Sequence, residues 1–173
     1  FSVNTITGST NDIAKWNGSF WFKVGSGISD ANSYVLGMAV NGSDLYIGGQ
    51  FSSVSGVSAN NIAKWNGSAW SALGSGTDSR VAAVAVSGSN VYAGGEFSTA
   101  GGNAASFIAR WNGSAWSALG SGMDFHVQSL AVSGADLYAG GTFSTAGGIS
   151  AFNIAKWNGS AWSALGAGVY NGV

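Results

Sequence analysis

The chain has no cysteine and no proline, a single histidine, a single glutamate, and charge on only 8% of its residues. Without cysteine there are no disulfides, thiolate nucleophiles or zinc–thiolate sites, whatever the redox compartment. A typical soluble domain carries charge on roughly 25% of its residues. Here six basic and seven acidic residues are spread thinly. No basic stripe exists to follow a nucleic-acid backbone, so nucleic acid is excluded as a partner. The longest wholly apolar run is residues 81–86. That is far short of the roughly 20 residues a helix needs to cross a bilayer, and no membrane span is expected. No leader peptide is recognisable and the first residue is Phe1 rather than methionine, which reads as a segment removed upstream.

What the chain does have is 29 glycines, eight tryptophans and a repeat. Residues 61–74, Asn-Ile-Ala-Lys-Trp-Asn-Gly-Ser-Ala-Trp-Ser-Ala-Leu-Gly, return almost unchanged at 107–120 and 153–166, with a looser copy at 12–25. The first tryptophans, Trp16, Trp65, Trp111 and Trp157, are spaced by 49, 46 and 46 residues. A period in the forties with tryptophan and a Gly-Gly pair per copy indicates a repeat architecture, chiefly a β-propeller.

Each full period divides into four short runs. In one of them 81–86 is β-branched, 91–97 contains Gly94-Gly95, 107–111 ends on Trp111, and 115–119 contains Trp116. Runs of 5 to 7 residues bounded by turn residues are strands. No window sustains helical spacing, so the chain is all-β. Asn-Gly between two runs predicts a type I′ hairpin, which needs positive φ at both central residues. The tryptophans flanking that turn are expected to be wedged between neighbouring sheets, where each ring buries about 150–250 Å². The Gly-Gly pairs late in a strand predict bulges or close backbone approaches.

The order of parts resembles a kelch blade: Ala139-Gly140-Gly141, then Trp157-Asn158, then Trp162. Kelch repeats usually have Tyr-Asp where this chain has Trp-Asn. The resemblance is closer to the tandem Trp-Asn-Gly repeats of kelch-like propellers in bacterial secreted proteins and fungal cortical-marker ectodomains. It covers essentially the whole chain and implies a fold rather than an activity. On that alignment Phe1 matches Phe51, and Val173 matches Val127 at the start of a further strand. The expected architecture is a β-propeller arc of four-stranded antiparallel blades, about three and a half of them. Residues 1–25 form an outer half-blade, 26–72 and 73–119 two blades, and 120–173 a third with the start of the next. Closed propellers usually have about four to eight blades, so a longer parent chain or other copies of this one are the expected partners.

Differences between the copies concentrate in loops of one rim. The possible binding residues there are Asp30, Tyr34, Asp78, Arg80, Asp124, Phe125 and His126; free drift of surface loops is the competing reading. Asp30, Asp78 and Asp124 stand singly beside glycine and serine, which favours side chains closing their own turns over calcium, whose six to eight oxygens usually include several carboxylates from one loop. His126 has no second histidine or cysteine for zinc and reads as a solvated loop residue. Glu96, opposite Gln50 and Thr142 in the other copies, is not a repeated element. Paired acids for glycoside hydrolysis are missing, as is a base near any serine. No catalytic residue, metal or cofactor is assigned, and the chain is read as not an enzyme. Asn17, Asn41, Asn66, Asn112 and Asn158 fit the Asn-Gly-Ser acceptor pattern for N-linked glycans, although the turn alone explains Asn-Gly. The expected role is an extracellular or cell-surface structural and adhesive module for protein–protein assembly or surface attachment. A lectin-type propeller binding surface glycans is the alternative, and a non-catalytic propeller domain of a larger secreted enzyme is third.

Overall fold

The structure is a computed structural model that describes residues 13–28 and 32–169. The chain opens with a two-stranded sheet, β1 (Ala14–Trp16) and β2 (Trp21–Lys23). A four-stranded antiparallel blade follows: β3 (Tyr34–Asn41), β4 (Asp44–Gln50), β7 (Ile62–Trp65) and β8 (Trp70–Ala72), hydrogen-bonded in that order. Between β4 and β7 sits a miniature hairpin, β5 (Ser53–Val54) with β6 (Val57–Ser58). The second blade comprises β9 (Val81–Ser87), β10 (Asn90–Gly95), β13 (Ile108–Trp111) and β14 (Trp116–Ala118), with the hairpin β11 (Thr99–Ala100) and β12 (Asn103–Ala104). The third comprises β15 (Val127–Ser133), β16 (Asp136–Gly141), β19 (Ile154–Trp157) and β20 (Trp162–Ala164), with the hairpin β17 (Thr145–Ala146) and β18 (Ile149–Ser150).

Blades touch through their first two strands: β9 packs on β3 and β4, and β15 on β9 and β10. This is a propeller arc of three complete blades and an outer half-blade. The expected all-β, four-stranded architecture is what is observed. In sequence the miniature hairpins look like Gly-rich loops, because strands of two residues leave no periodicity to detect.

The core lies in the seams between blades. One cluster joins Tyr46, Ile62 and Leu73 of the first blade to Val81, Val84, Val91 and Trp116 of the second. The next joins Tyr92, Ile108 and Leu119 to Val127, Leu137, Trp157 and Trp162. The half-blade contributes Ile13 and Val24 to a third seam with Ile47, Phe51 and Trp70. Each seam is fastened by an indole. Trp70 Nε1 donates to the Val24 carbonyl (3.3 Å), Trp116 Nε1 to that of Leu73 (2.7 Å) and Trp162 Nε1 to that of Leu119 (2.8 Å). A buried indole N–H needs such a partner. Its acceptor, the carbonyl after each last strand, lies one blade upstream.

The Gly-Gly pairs serve both purposes expected of them. A Cβ at Gly48 would lie 2.5 Å from Val81 Cγ1, and one at Gly94 the same distance from Val127 Cγ1, so the first glycine admits the next blade. A Cβ at the second, Gly49, Gly95 or Gly141, would collide with the carbonyl oxygen of Tyr34, Arg80 or His126. The strand register shifts beside these pairs, marking bulges.

The Asn-Gly turns depart from expectation. Gly67, Gly113 and Gly159 have φ near +100° (99, 102 and 99), but Asn66, Asn112 and Asn158 are not in the positive-φ region, so these are not type I′ turns. Trp65 pairs with Trp70 across a four-residue loop in which Asn66 Oδ1 accepts from the backbone N–H groups of Ser68 and Ala69. The asparagine is selected as a side-chain cap for the loop. Two tryptophans also depart from expectation: Trp16 and Trp21 of the half-blade are exposed, because no described blade precedes them.

Candidate binding rim

Three residues on the same rim, Tyr34, Arg80 and His126, occupy equivalent places at or just before the start of each first strand, their carbonyl oxygens lying against the second glycine of each pair. The Arg80 and His126 carbonyls also accept from the N–H groups of Glu96 and Thr142. The residue after each Gly-Gly pair therefore stands beside the head residue of its own blade. Tyr34 is the register partner of Gln50.

Their side chains form a string across the three blades. Tyr34 Oη donates to Gln50 Oε1 (2.8 Å), and Arg80 Nη1 donates to Tyr34 Oη (3.4 Å). Arg80 Nη2 is paired with Glu96 Oε1, and His126 Nδ1 lies 3.4 Å from the same oxygen. The hydrogen bond from Arg80 to Glu96, followed by the one to Tyr34, raises the pKa of the guanidinium further above its already high value. Phe125 stacks on His126 with ring centroids 4.0 Å apart, and Phe107 lies 5.5 Å from His126 and 6.2 Å from Phe125. His126 is thus held between a carboxylate and two aromatic rings rather than free in solvent.

Phe107 carries backbone strain. It sits at φ +62°, and the corresponding residues of the other blades are asparagines, Asn61 and Asn153, both at +63°. Asparagine tolerates the left-handed region, whereas a bulky side chain there is an outlier. Asn61 also uses both ends of its carboxamide, donating to the Thr77 carbonyl (2.9 Å) and accepting from Phe51 N–H (3.3 Å). In the second blade that favourable residue is replaced by an aromatic ring on the rim.

Of the three rim aspartates, Asp78 and Asp124 are described and have a structural assignment. Asp78 Oδ1 accepts from the N–H groups of Ser98 and Thr99, and Oδ2 from the Ser98 hydroxyl (2.6 Å). Asp124 repeats this arrangement with Ser144 and Thr145. Each carboxylate therefore anchors the miniature hairpin of its own blade, about 20 residues on, rather than its own turn. Burial raises the pKa of both carboxyls, but the serine hydroxyl and the two backbone N–H groups outweigh it and hold them below the usual value. Asp30 lies outside the described residues, as do the positions of Phe1 and Val173. Among the described residues no cluster of three or more His, Asp or Glu side chains could hold a metal.

Beside the string, a groove of about 500 Å³ is lined by Asn32, Gln50, Ser52, Asn60, Asn61 and Asp78 among others. Its walls are polar and rich in carboxamides. The expected glycan acceptors fall into two kinds. Asn17, Asn66, Asn112 and Asn158 occupy exposed turns, with Oδ1 accepting backbone N–H groups. Asn41 instead donates through Nδ2 to the Gly88 carbonyl of the next blade (2.8 Å), so its acceptor nitrogen is engaged.

Sequence reasoning missed Gln50, Glu96 and Phe107. The signal was a pair of varying positions 16 residues apart in every copy: 34 with 50, 80 with 96 and 126 with 142. The sequence matches no protein-family model and no curated protein. In fold, the chain is similar to the computationally designed protein Ika4, with a TM-score of 0.55, 15% identity and coverage of 82% of this chain and 78% of that one. It is also similar to the computationally designed Ika8, with a TM-score of 0.51, 17% identity, and coverage of 79% of this chain but only 38% of that one.

Proposed function

We propose that the chain is an extracellular structural and adhesive module of kelch-like type, whose stiff blades hold the 34–80–96–126 rim as an attachment surface. The observation that carries this reading is Phe107. A strained backbone at +62° is kept where the repeat elsewhere uses an unstrained asparagine, and its ring joins Phe125 and His126 on the rim. Strain retained at one variable position supports selection for what the ring touches rather than for stability. Tyr and Arg are among the residue types that dominate interface energetics, and Phe is enriched at interfaces. The partners on this reading are cell-surface proteins, other copies of the chain or the rest of a longer parent.

The test is attachment of the labelled protein to intact cells and matrix proteins, comparing wild type with Phe107→Asn. The variant restores the carboxamide used at Asn61 and is expected to melt no lower than wild type while losing attachment. Equal attachment by both would refute the rim reading. The carboxamide-lined groove favours carbohydrate as a second reading, since sugars are bound through dense hydrogen-bonding groups. Release of the attached protein by free monosaccharide would select it. A propeller domain within a larger secreted enzyme is third.

A further inference from the structure

The two ends of the fan are unlike the seams inside it, and unlike each other. At the downstream end, Tyr138, Ile154 and Leu165 are half-exposed. Their counterparts Tyr92, Ile108 and Leu119 are buried in the seam with the third blade. A Cβ at Gly74 would come within 3.1 Å, and one at Gly120 within 3.6 Å, of the tryptophans of the following blade, whereas at Gly166 nothing lies within 4 Å. The Leu165 carbonyl is the next in the series Val24, Leu73, Leu119, each of which accepts an indole N–H. At the upstream end, Trp16 and Trp21 hold the same mutual geometry as the seam pairs. Their centroids are 5.5 Å apart, against 5.6 Å for Trp111–Trp116 and 5.4 Å for Trp157–Trp162. Yet Trp21 is 58% exposed and Trp116 only 5%. Phe20 and Phe22 beside it are exposed as well.

We propose that these ends are a self-complementary pair. The Trp16–Trp21 edge of one copy docks on the Tyr138–Ile154–Leu165–Gly166 face of a second copy, with Trp21 Nε1 donating to the Leu165 carbonyl. The occupant is identified by the molecule itself, which makes this contact between its own blades three times, twice on a Tyr–Ile–Leu–Gly face and once on Ile13, Val24 and Gly25. The inference rests on the scaffold reading above but uses a different surface from the rim. The contact is heterologous, because each copy offers a donor edge at one end and an acceptor face at the other, so it propagates into a ring or a filament. Two indoles supply about 300–500 Å², below the roughly 800 Å² per partner of a stable interface. Association is therefore weak, concentration-dependent and cooperative only on ring closure.

The test is sedimentation velocity of the 173-residue chain over a wide concentration range, with Trp21→Ala removing the donor edge and Ile154→Glu charging the acceptor face. Wild type is expected to form oligomers that grow with concentration, and each variant alone to lose association at least tenfold. An equimolar mixture of the two variants should form a 1:1 dimer and stop there, because each supplies the surface the other lacks. That complementation also shows that both variants fold. A wild type that stays monomeric overturns the proposal in favour of a blade supplied from the same polypeptide. Undiminished association of Trp21→Ala overturns it, and so does a mixture that does not pair. None of these outcomes alters the attachment assay, so failure of the ends and failure of the rim are separable.

Discussion

Replacing Trp116 by phenylalanine isolates the contribution of one seam. The indole is 5% exposed, and its Nε1 donates to the Leu73 carbonyl at 2.7 Å across the boundary between the first and second blades. Phenylalanine keeps most of the apolar ring but removes the donor. The net loss of a buried hydrogen bond is about 1 kcal/mol, and leaving the carbonyl unsatisfied in an apolar seam raises that to about 2 kcal/mol. The space of the missing pyrrole, walled by Gly74 and Gly101, adds about 1 kcal/mol as a cavity. The expected destabilisation is therefore about 3 kcal/mol. Trp21→Phe, measured at a concentration where the chain is monomeric, is the matched control, the same change at an equivalent position open to solvent, where surface substitutions stay within about 0.5 kcal/mol. In urea, at about 2 kcal/mol per molar, Trp116→Phe should lower the unfolding midpoint by about 1.5 M and the control by less than about 0.3 M. Midpoints that fall equally for the two would refute the assignment of stability to indoles fastened across seams.

Gly94→Ala should destabilise by about 1–3 kcal/mol through overpacking, since its Cβ would lie 2.5 Å from Val127 Cγ1. Gly140→Ala should stay near neutral, because only the Ser129 hydroxyl is close; paired thermal melts check both. Acid titration followed by circular dichroism reads the two hairpin anchors. The folded-state pKa values of Asp78 and Asp124 lie below the ordinary aspartate value of 3.8, so their stabilisation is complete above that value and is lost as pH falls through the lower, folded one. The double variant Asp78→Asn/Asp124→Asn should lose the acid transition they cause and be less stable than wild type at pH 7. Asn66→Ala removes a cap accepting two backbone N–H groups, with an expected cost of about 0.5–2 kcal/mol in chemical denaturation, as for other side-chain caps.

The repeat made the blades legible because local chemistry dictates them. Short β-branched runs, the Gly-Gly bulge and the tryptophans are all visible within one copy. The details that escaped depend on contacts between residues far apart. The Asn-Gly dipeptide predicts positive φ at Asn66, whereas the residue is a side-chain cap, a distinction that dipeptide identity does not carry. Asp78 was expected to close its own turn, but its carboxylate reaches Ser98 and Thr99, which only strand pairing brings near. Glu96 looked unimportant because its counterparts are Gln50 and Thr142. In the fold its Oε1 meets Arg80 and His126, from two blades.

Identical sequence also produces unequal burial, and the reason bears on how such a chain is stabilised. Ile-Ala-Lys-Trp occurs at 62–65 and 154–157, with Ile-Ala-Arg-Trp at 108–111. Ile62 and Ile108 are fully buried, whereas Ile154 is half-exposed. The first strands behave likewise: β9, flanked on both sides, is mostly buried, while Leu36, Met38 and Val40 of β3 lie exposed at the end of the stack. Burial is therefore a property of the seam and not of the blade, as expected when each repeat contacts only its neighbours. A blade has too little apolar surface of its own to offset the entropy of ordering it. Its stability comes from the tryptophans of the next blade, and the terminal blades have less of it. It follows that covering the downstream face, by a second copy or by a further blade, should raise the protection of amide hydrogens in β19 and β20 toward that of β13 and β14 and leave the middle blade unchanged. Uniform protection across all three blades with that face open would contradict nearest-neighbour stabilisation.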